Sequence, residues 1–370
     1  MKTATQQGVD KGSVFQSVGF LYFLAVSALS RLYTQDSEFL VAQASLAAGG
    51  LIGKRVMDLG AGHGSTTLAI AKRNPSTIVS VDKSVDYIPF LEMLFQSDKD
   101  IEGYLEANYG ARKVLDDLYD ATIAYLEGMR KQFQATRFSR LGGTLQLIEK
   151  SAFDLTAKEC DEPVDVIIGS HFFHWVVNAL KDQYLAEGKS PLEARDCAIS
   201  ESLERIGKLL KPGGILAFST SKDFVDVDDN PEMDQYLEQY TVTAEPMYVR
   251  MHEIKKRLVL KKNPALESKV TIPAPNHLLK NSEIPALFRR SGFNLVHVDL
   301  WENLTDYDPI EVAYTALQLH LGGLKDEEIS AEDRVEIAKK VRKEMRETMM
   351  QGQWENPYMG FGFTYIFQKA

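Results

Sequence analysis

The stretch Val56-Met57-Asp58-Leu59-Gly60-Ala61-Gly62-His63-Gly64-Ser65 constrains this chain more than any other. Arg55 to Leu59 reads as a short buried strand, and three glycines follow at alternate positions. Ser65-Thr66-Thr67-Leu68-Ala69-Ile70-Ala71 then reads as the start of a helix. A residue without Cβ lets the turn adopt unusual φ/ψ and lets a ligand lie against the backbone. The helix start adds unpaired N–H groups and the positive end of the helix dipole. Ser76 to Asp82 reads as a second strand that ends in an acid, placed to grip ribose hydroxyls. Together these pieces spell a nucleotide-type βαβ unit. The plain alternative is a tight βα turn that holds no ligand.

The pattern is Asp-x-Gly-x-Gly-x-Gly, with Asp58 at the strand end, and not Gly-x-Gly-x-x-Gly. It resembles the first motif of class I S-adenosylmethionine (SAM)-dependent methyltransferases, in which the strand-end acid organises the loop near the methionine part of SAM. Asp82 matches that family's ribose-binding acid. Three later segments extend the resemblance. Val164 to Ser170 reads as a buried fourth strand, followed by His171-Phe172-Phe173-His174-Trp175-Val176. The His-Trp-Val piece is similar to a segment of the trans-aconitate and juvenile hormone acid methyltransferases. Leu209-Leu210-Lys211-Pro212-Gly213-Gly214 reads as a helix stop and turn before a fifth strand, Ile215–Thr220. Ile284 to Phe293 resembles the family's helix ending before a sixth strand, Asn294–Leu300, and Gly362–Gln368 reads as a final strand.

The resemblance implies an α/β fold: a Rossmann-like seven-stranded sheet whose last strand is antiparallel, with a helical N-terminal cap and helical insertions. Residues 1–48 are expected to form the cap and 49–370 the SAM-binding domain. Helical spacing from Ile101 through Phe133 predicts two helices in an insertion over about 87–140, packed against the body or a partner subunit. Residues 221–280 break the alternation and fit a lid, with a helical stretch carrying Tyr236, Tyr240, Tyr248, Met251 and His252. Its acids Asp226, Asp228 and Asp229 read as a solvated loop. Residues 309–324 and 330–350 read as two further helices.

The same resemblance implies the cofactor SAM, with S-adenosylhomocysteine (SAH) as product. Its contacts are expected at Asp58, Gly60, Ala61, Gly62, Asp82, Lys83, Ser151, Ala152, Phe153 and Ser170. Ser151 stands where the family usually has an Asp for the adenine amino group, so Ala152 and Phe153 would bracket the adenine instead. Tyr22, Tyr33, Trp175, Tyr248 and Met251 are candidates to line the substrate pocket, each with core packing as the plainer reading. A sulfonium methyl transfers by direct displacement, so alignment is the main requirement, and it supplies about 7–11 kcal/mol. A base matters only when the acceptor loses a proton; His174 is the first candidate and His171 the second.

Composition narrows the partners. The net charge of −10 argues against a nucleic-acid groove, which needs a basic stripe. Cys160 and Cys197 form no metal-ligand pattern, no other metal cluster is evident, and two cysteines fit a reducing compartment. The apolar run Val18–Leu29 follows Lys11 and could pass for a signal-peptide core, but it is too short to span a bilayer. It reads as a buried helix of a cytoplasmic protein, with a small-molecule acceptor, no nucleic acid, no membrane, and a homodimer allowed for. The expectation is methyl transfer to a small, partly apolar metabolite at O, N or C. The rival readings are a catalytically inactive SAM-fold scaffold subunit and an NAD(P)-dependent oxidoreductase. The latter fingerprint would need glycine or alanine at Ser65.

Overall fold

The central strands are mostly apolar and buried on both faces, as strands covered on each side by helices must be. β1 (Arg55–Leu59), β2 (Thr77–Asp82) and β4 (Val164–Gly169) are buried almost throughout, whereas β3 (Thr144–Glu149) is a half-exposed edge. The computed structural model describes residues 18–29, 32–152, 154–156, 158–221, 225–226, 245–268, 270, 279–305, 328–350 and 358–370. Its seven-stranded sheet has the order β3-β2-β1-β4-β5-β9-β8. The pairs from β3 to β5 (Leu210–Ser221) are parallel. β9 (Tyr358–Lys369) runs antiparallel between β5 and β8 (Phe293–Thr305), from Ile215↔Gln368 on one side and Phe293↔Lys369 on the other. This is the expected sheet with its antiparallel last strand.

Register fixes where ligand-binding loops emerge. Leu59 pairs with Val81, so the glycine loop and Asp82 leave the sheet side by side. Asp58 pairs with Ile168 on the other flank, which brings the end of β4 next to the same loop.

Helices cover both faces. On one face, α1 (Val18–Leu29) packs on α7 (Tyr119–Ala135), and α2 (Leu32–Ala47) packs on α3 (Ser65–Ala71), β4 and β5. Phe20, Leu21, Tyr22, Leu24, Ala25 and Val26 of α1 are all buried, as expected of an apolar N-terminal helix. The other face is closed by α9 (Phe173–Ala186), α10 (Pro191–Leu209) and α12 (Ile284–Arg290). Aromatic stacking fastens it: Phe288 lies 4.2 Å from Phe367, and Phe173 lies 4.7 Å from Phe218, centroid to centroid. Between these elements, α11 spans Glu245–Lys262, and α13 (Ala331–Met350) packs on it.

Three expectations need correction or qualification. The insertion holds several helical segments in place of two: α4 (Tyr87–Gln96), α5 (Ile101–Tyr109), α6 (Ala111–Leu115), a 3-10 turn at Asp116–Leu118, α7, and α8 (Arg137–Arg140). Asp100 starts α5 by accepting from the Gly103 N–H at 2.7 Å, and Gly110 ends it in the left-handed region at φ 58°. The apolar stripe runs on across these breaks, so periodicity alone conceals them. Second, β5 starts at Leu210, paired with Val164, and the register shifts before Ile215 pairs with Val166. The Lys-Pro-Gly-Gly turn is therefore an irregularity within the strand, with Gly213 at φ 72°. Third, a short parallel pair, β6 (Val225–Asp226) with β7 (Leu279–Lys280), stands outside the main sheet, so Asp226 lies in a strand and not in a loop. Asp228, Asp229, Tyr236, Tyr240 and the helix expected over 309–324 lie outside the described residues. No helix among the described residues is long and apolar enough to cross a membrane.

Candidate functional site

The glycine loop is held by the neighbouring strand. Gly60 N and Ala61 N both donate to the Val81 carbonyl, at 2.9 and 3.0 Å. Gly62 N donates to Asp82 Oδ2 at 3.0 Å, and Ser84 N donates to Asp82 Oδ1 at 2.9 Å. Asp82 thus orients the loop through the same carboxylate that was expected to face a ribose. Burial pushes its pKa up, against those two bonds and the charge of Lys83. Gly60, Gly62 and Gly64 all have positive φ, at 79°, 49° and 92°, a region that strains other L residues. A Cβ at Gly60 would sit 2.3 Å from Phe172 Cδ2, and one at Gly64 2.7 Å from both Leu91 and Phe95. A Cβ at Gly62 would meet Phe23 at 3.3 Å, so this is the least obstructed of the three.

Asp58 has an internal task. It is fully buried, and Oδ2 accepts from Thr67 Oγ1 at 2.6 Å, while Thr67 Oγ1 lies 2.9 Å from Ser80 Oγ. These contacts tie β1 to α3 and β2. Burial is the main cause that lifts its carboxyl to about 7, with the nearby Asp82 charge adding to the rise.

Hydrogen bonds from two other elements reach the loop. His63 Nε2 and Ser65 Oγ are 2.5 Å apart, Ser65 Oγ is 3.3 Å from Tyr125 Oη of α7, and that hydroxyl is 3.1 Å from Thr34 Oγ1 of α2. Burial holds the His63 pKa down at about 3, so its ring is neutral. The N-terminal helices and the insertion therefore both touch the turn that the sequence singled out.

The end of β4 carries a constellation that the sequence reading missed. Asp36 of α2 is only 4% exposed. Its Oδ2 accepts from Ser170 Oγ and from Ser219 Oγ, each at 2.7 Å, and His171 Nε2 lies 3.3 Å away. His171 itself has φ 48°, a strained value for a non-glycine residue, and its N–H donates to Ser219 Oγ at 3.2 Å. Burial alone would raise the Asp36 pKa, but the His171 charge and the hydrogen bonds from His171, Ser219 and Ser170 hold it below the ordinary value. One signal for Asp36 existed in the sequence. It shares a helix face with Leu40 and Ala44, at spacings of four, so an acid stands within the apolar stripe.

The remaining expected residues fall in different surroundings. Ser170 and His171 come together, as above. His174 lies in the first turn of α9, buried, with its ring centroid 5.3 Å from that of Trp175. Lys83 is exposed, and Ser151 and Ala152 are partly buried beyond β3. Phe153 and the side chains of Tyr33 and Tyr248 lie outside the described residues. Tyr22 and Met251 sit in the main hydrophobic core. Among the described residues no group of acidic, His or Cys side chains is arranged to hold a metal ion.

A family model described as a methyltransferase domain matches residues 39–298, well over half of the chain, and the protein belongs to that family. Among solved structures it is similar to a SAM-dependent methyltransferase from Thiobacillus denitrificans in complex with SAH, at 16% identity and a TM-score of 0.40. That alignment covers 90% of this chain and 91% of the other. It is also similar to a cyclopropane synthase from Mycobacterium tuberculosis, at 14% identity, with a TM-score of 0.41 and coverage of 89% and 84%. No curated protein sequence matches the chain.

Proposed function

We propose that this protein is a SAM-dependent methyltransferase acting on a small, partly apolar acceptor at O, N or C. The observation that carries the reading is the pairing of the left-handed glycine turn with Asp82, whose carboxylate receives the Gly62 N–H where β1 and β2 end. The residues fit the group: each Asp82 carboxylate oxygen accepts one backbone N–H, from Gly62 and from Ser84, and keeps further lone pairs for ribose hydroxyls. When bound, the cofactor supplies an electrophilic methyl on a sulfonium. The chain's own work is to hold the acceptor in line and keep water away, which fits a strand end where the Phe172 ring covers the glycine turn. Where the acceptor must lose a proton, we favour the neutral ring of His171 over His174 to take it. His171 stands at the strand end beside Asp36, whereas His174 is buried inside a helix. Residues 1–48 would cap the site and 221–280 would cover the acceptor. The test is calorimetry with SAH. Each hydrogen bond to a charged group contributes roughly 1.5–3 kcal/mol. Asp82→Ala is expected to weaken SAH at least about tenfold. Unchanged affinity in a folded Asp82→Ala protein would refute the assignment.

A further inference from the structure

Asp36 is saturated on one oxygen and orphaned on the other. Oδ2 has the Ser170 hydroxyl, the Ser219 hydroxyl and the His171 ring around it. Oδ1 is buried and, among the described residues, has no hydrogen-bond partner. A buried carboxylate oxygen without a donor is destabilising. The fold keeps it so with some care. The hydroxyls of Ser170, just past β4, and of Ser219 in β5 both hold Oδ2 and fix the plane of the carboxylate. Such an arrangement suits a ligand that brings its own donor.

The sheet order says which part of a ligand arrives there. Along the edge at which the strands end, β3, β2, β1 and β4 stand in that sequence. Asp82 closes β2, the glycine turn closes β1, and Ser170 follows β4. A SAM molecule gripped by its ribose at Asp82, with its adenine toward β3, must send its amino-acid arm across the glycine turn toward β4. Phe172 joins these two places, because it follows His171 and its ring covers Gly60. The amino-acid arm ends in the one cationic group of the cofactor that carries N–H donors, the α-ammonium group.

We propose that Asp36 Oδ1 receives the α-ammonium group of the cofactor, with Ser170 and Ser219 as the residues that aim it. The inference rests on the methyltransferase reading above. It makes α2 part of the cofactor site, contributed from outside the βαβ unit, and gives the Asp36–Ser170–Ser219 cluster a task independent of the acceptor. Asp36 is then a binding residue, and the two serines are positioning residues.

Calorimetry on the full chain tests this with two ligands: SAH, and the SAH analogue in which hydrogen replaces the α-amino group. Asp36→Asn is expected to weaken SAH at least about tenfold and to leave the deaminated analogue unchanged. Ser219→Ala keeps the carboxylate but frees its rotation, so it is expected to weaken SAH by a smaller factor and again spare the analogue. It serves as the reporter if Asp36→Asn does not fold. Equal affinity of wild type and Asp36→Asn for SAH would overturn the inference, as would equal losses for both ligands. The Asp82→Ala protein separates the two failures. If it loses SAH while Asp36→Asn does not, only the present inference falls. If wild type does not bind SAH at all, the cofactor reading falls and this inference with it.

Discussion

At the scale of single residues, the glycine turn is constrained twice, by backbone angle and by packing. Gly60 has φ 79°, and Phe172 fills the space where a side chain would go. The angle term for alanine there is about 1–2 kcal/mol. The overlap with the Phe172 ring adds to it, since a contact of 2.3 Å forces movement. Gly60→Ala is therefore expected to lower the urea midpoint clearly. In a Phe172→Ala background the same change is expected to cost only the angle term. Urea titrations of the two single variants and the double variant check this, and equal cost in both backgrounds would contradict it. The glycines and Asp82 were legible in the sequence because their spacing is local and their chemistry is specific. Asp36 was not. Its partners Ser170 and Ser219 lie more than a hundred residues away, and an acid in a helix ordinarily reads as solvated.

At the scale of elements, the strands were legible and the insertion was not. A parallel strand buried on both faces reads as a short, mostly apolar run, and β1, β2 and β4 each do so, with Asp58, Ser80 and Asp165 as polar residues inside them. α10 carried its own start signal, a Ser190–Glu193 capping box with Pro191 at the first turn. The insertion broke up because local caps such as Asp100 and Gly110 act below the resolution of a hydrophobic stripe. One side chain then reassembles the pieces. Arg130 of α7 donates to the carbonyls of Met93, Leu94 and Lys99, at 2.8, 3.1 and 2.7 Å. Met93 and Leu94 belong to the last turn of α4, whose carbonyls lack helical partners and which attracts a cation. Arg130→Met keeps the aliphatic stem and removes all three bonds. A loss of roughly 2 kcal/mol is expected, since these are charged but partly exposed bonds. Arg130→Lys should recover only a fraction, because one ammonium cannot span three carbonyls as a guanidinium fork does. Thermal denaturation of the two variants distinguishes this from simple loss of bulk, in which case both would melt alike.

At the scale of the whole molecule, one buried lysine contributes to how stability depends on pH. Lys255 of α11 is fully buried, on the helix that packs against α13. Its Nζ lies 3.0 Å from His252 Nδ1, and among the described residues no carboxylate pairs with it. Burial holds the Lys255 pKa down at about 6. Burial, with the lysine charge adding to it, holds the His252 pKa at about 4. Both groups are thus folded in their neutral forms, while the unfolded chain protonates each at its ordinary value. Between pH 10.5 and 6 the unfolded state binds the extra lysine proton, and between 6.5 and 4 the extra histidine proton. The stability contributed by this pair therefore rises with pH across both windows and falls as the solution is acidified, while the raised Asp58 carboxyl acts in the opposite sense between 3.8 and about 7. For Lys255 the full swing is on the order of 6 kcal/mol by the equivalence of pKa and free energy. Lys255→Met keeps the length of the side chain and removes the ionisation. Relative to wild type it is expected to be stabilising, by an increment that grows steadily as pH is lowered from 9 to 6. Urea unfolding of both proteins at pH 6, 7, 8 and 9 measures that increment directly. A difference that stayed constant with pH would show that Lys255 keeps its proton in the folded protein, and that some neighbouring anion or water satisfies it.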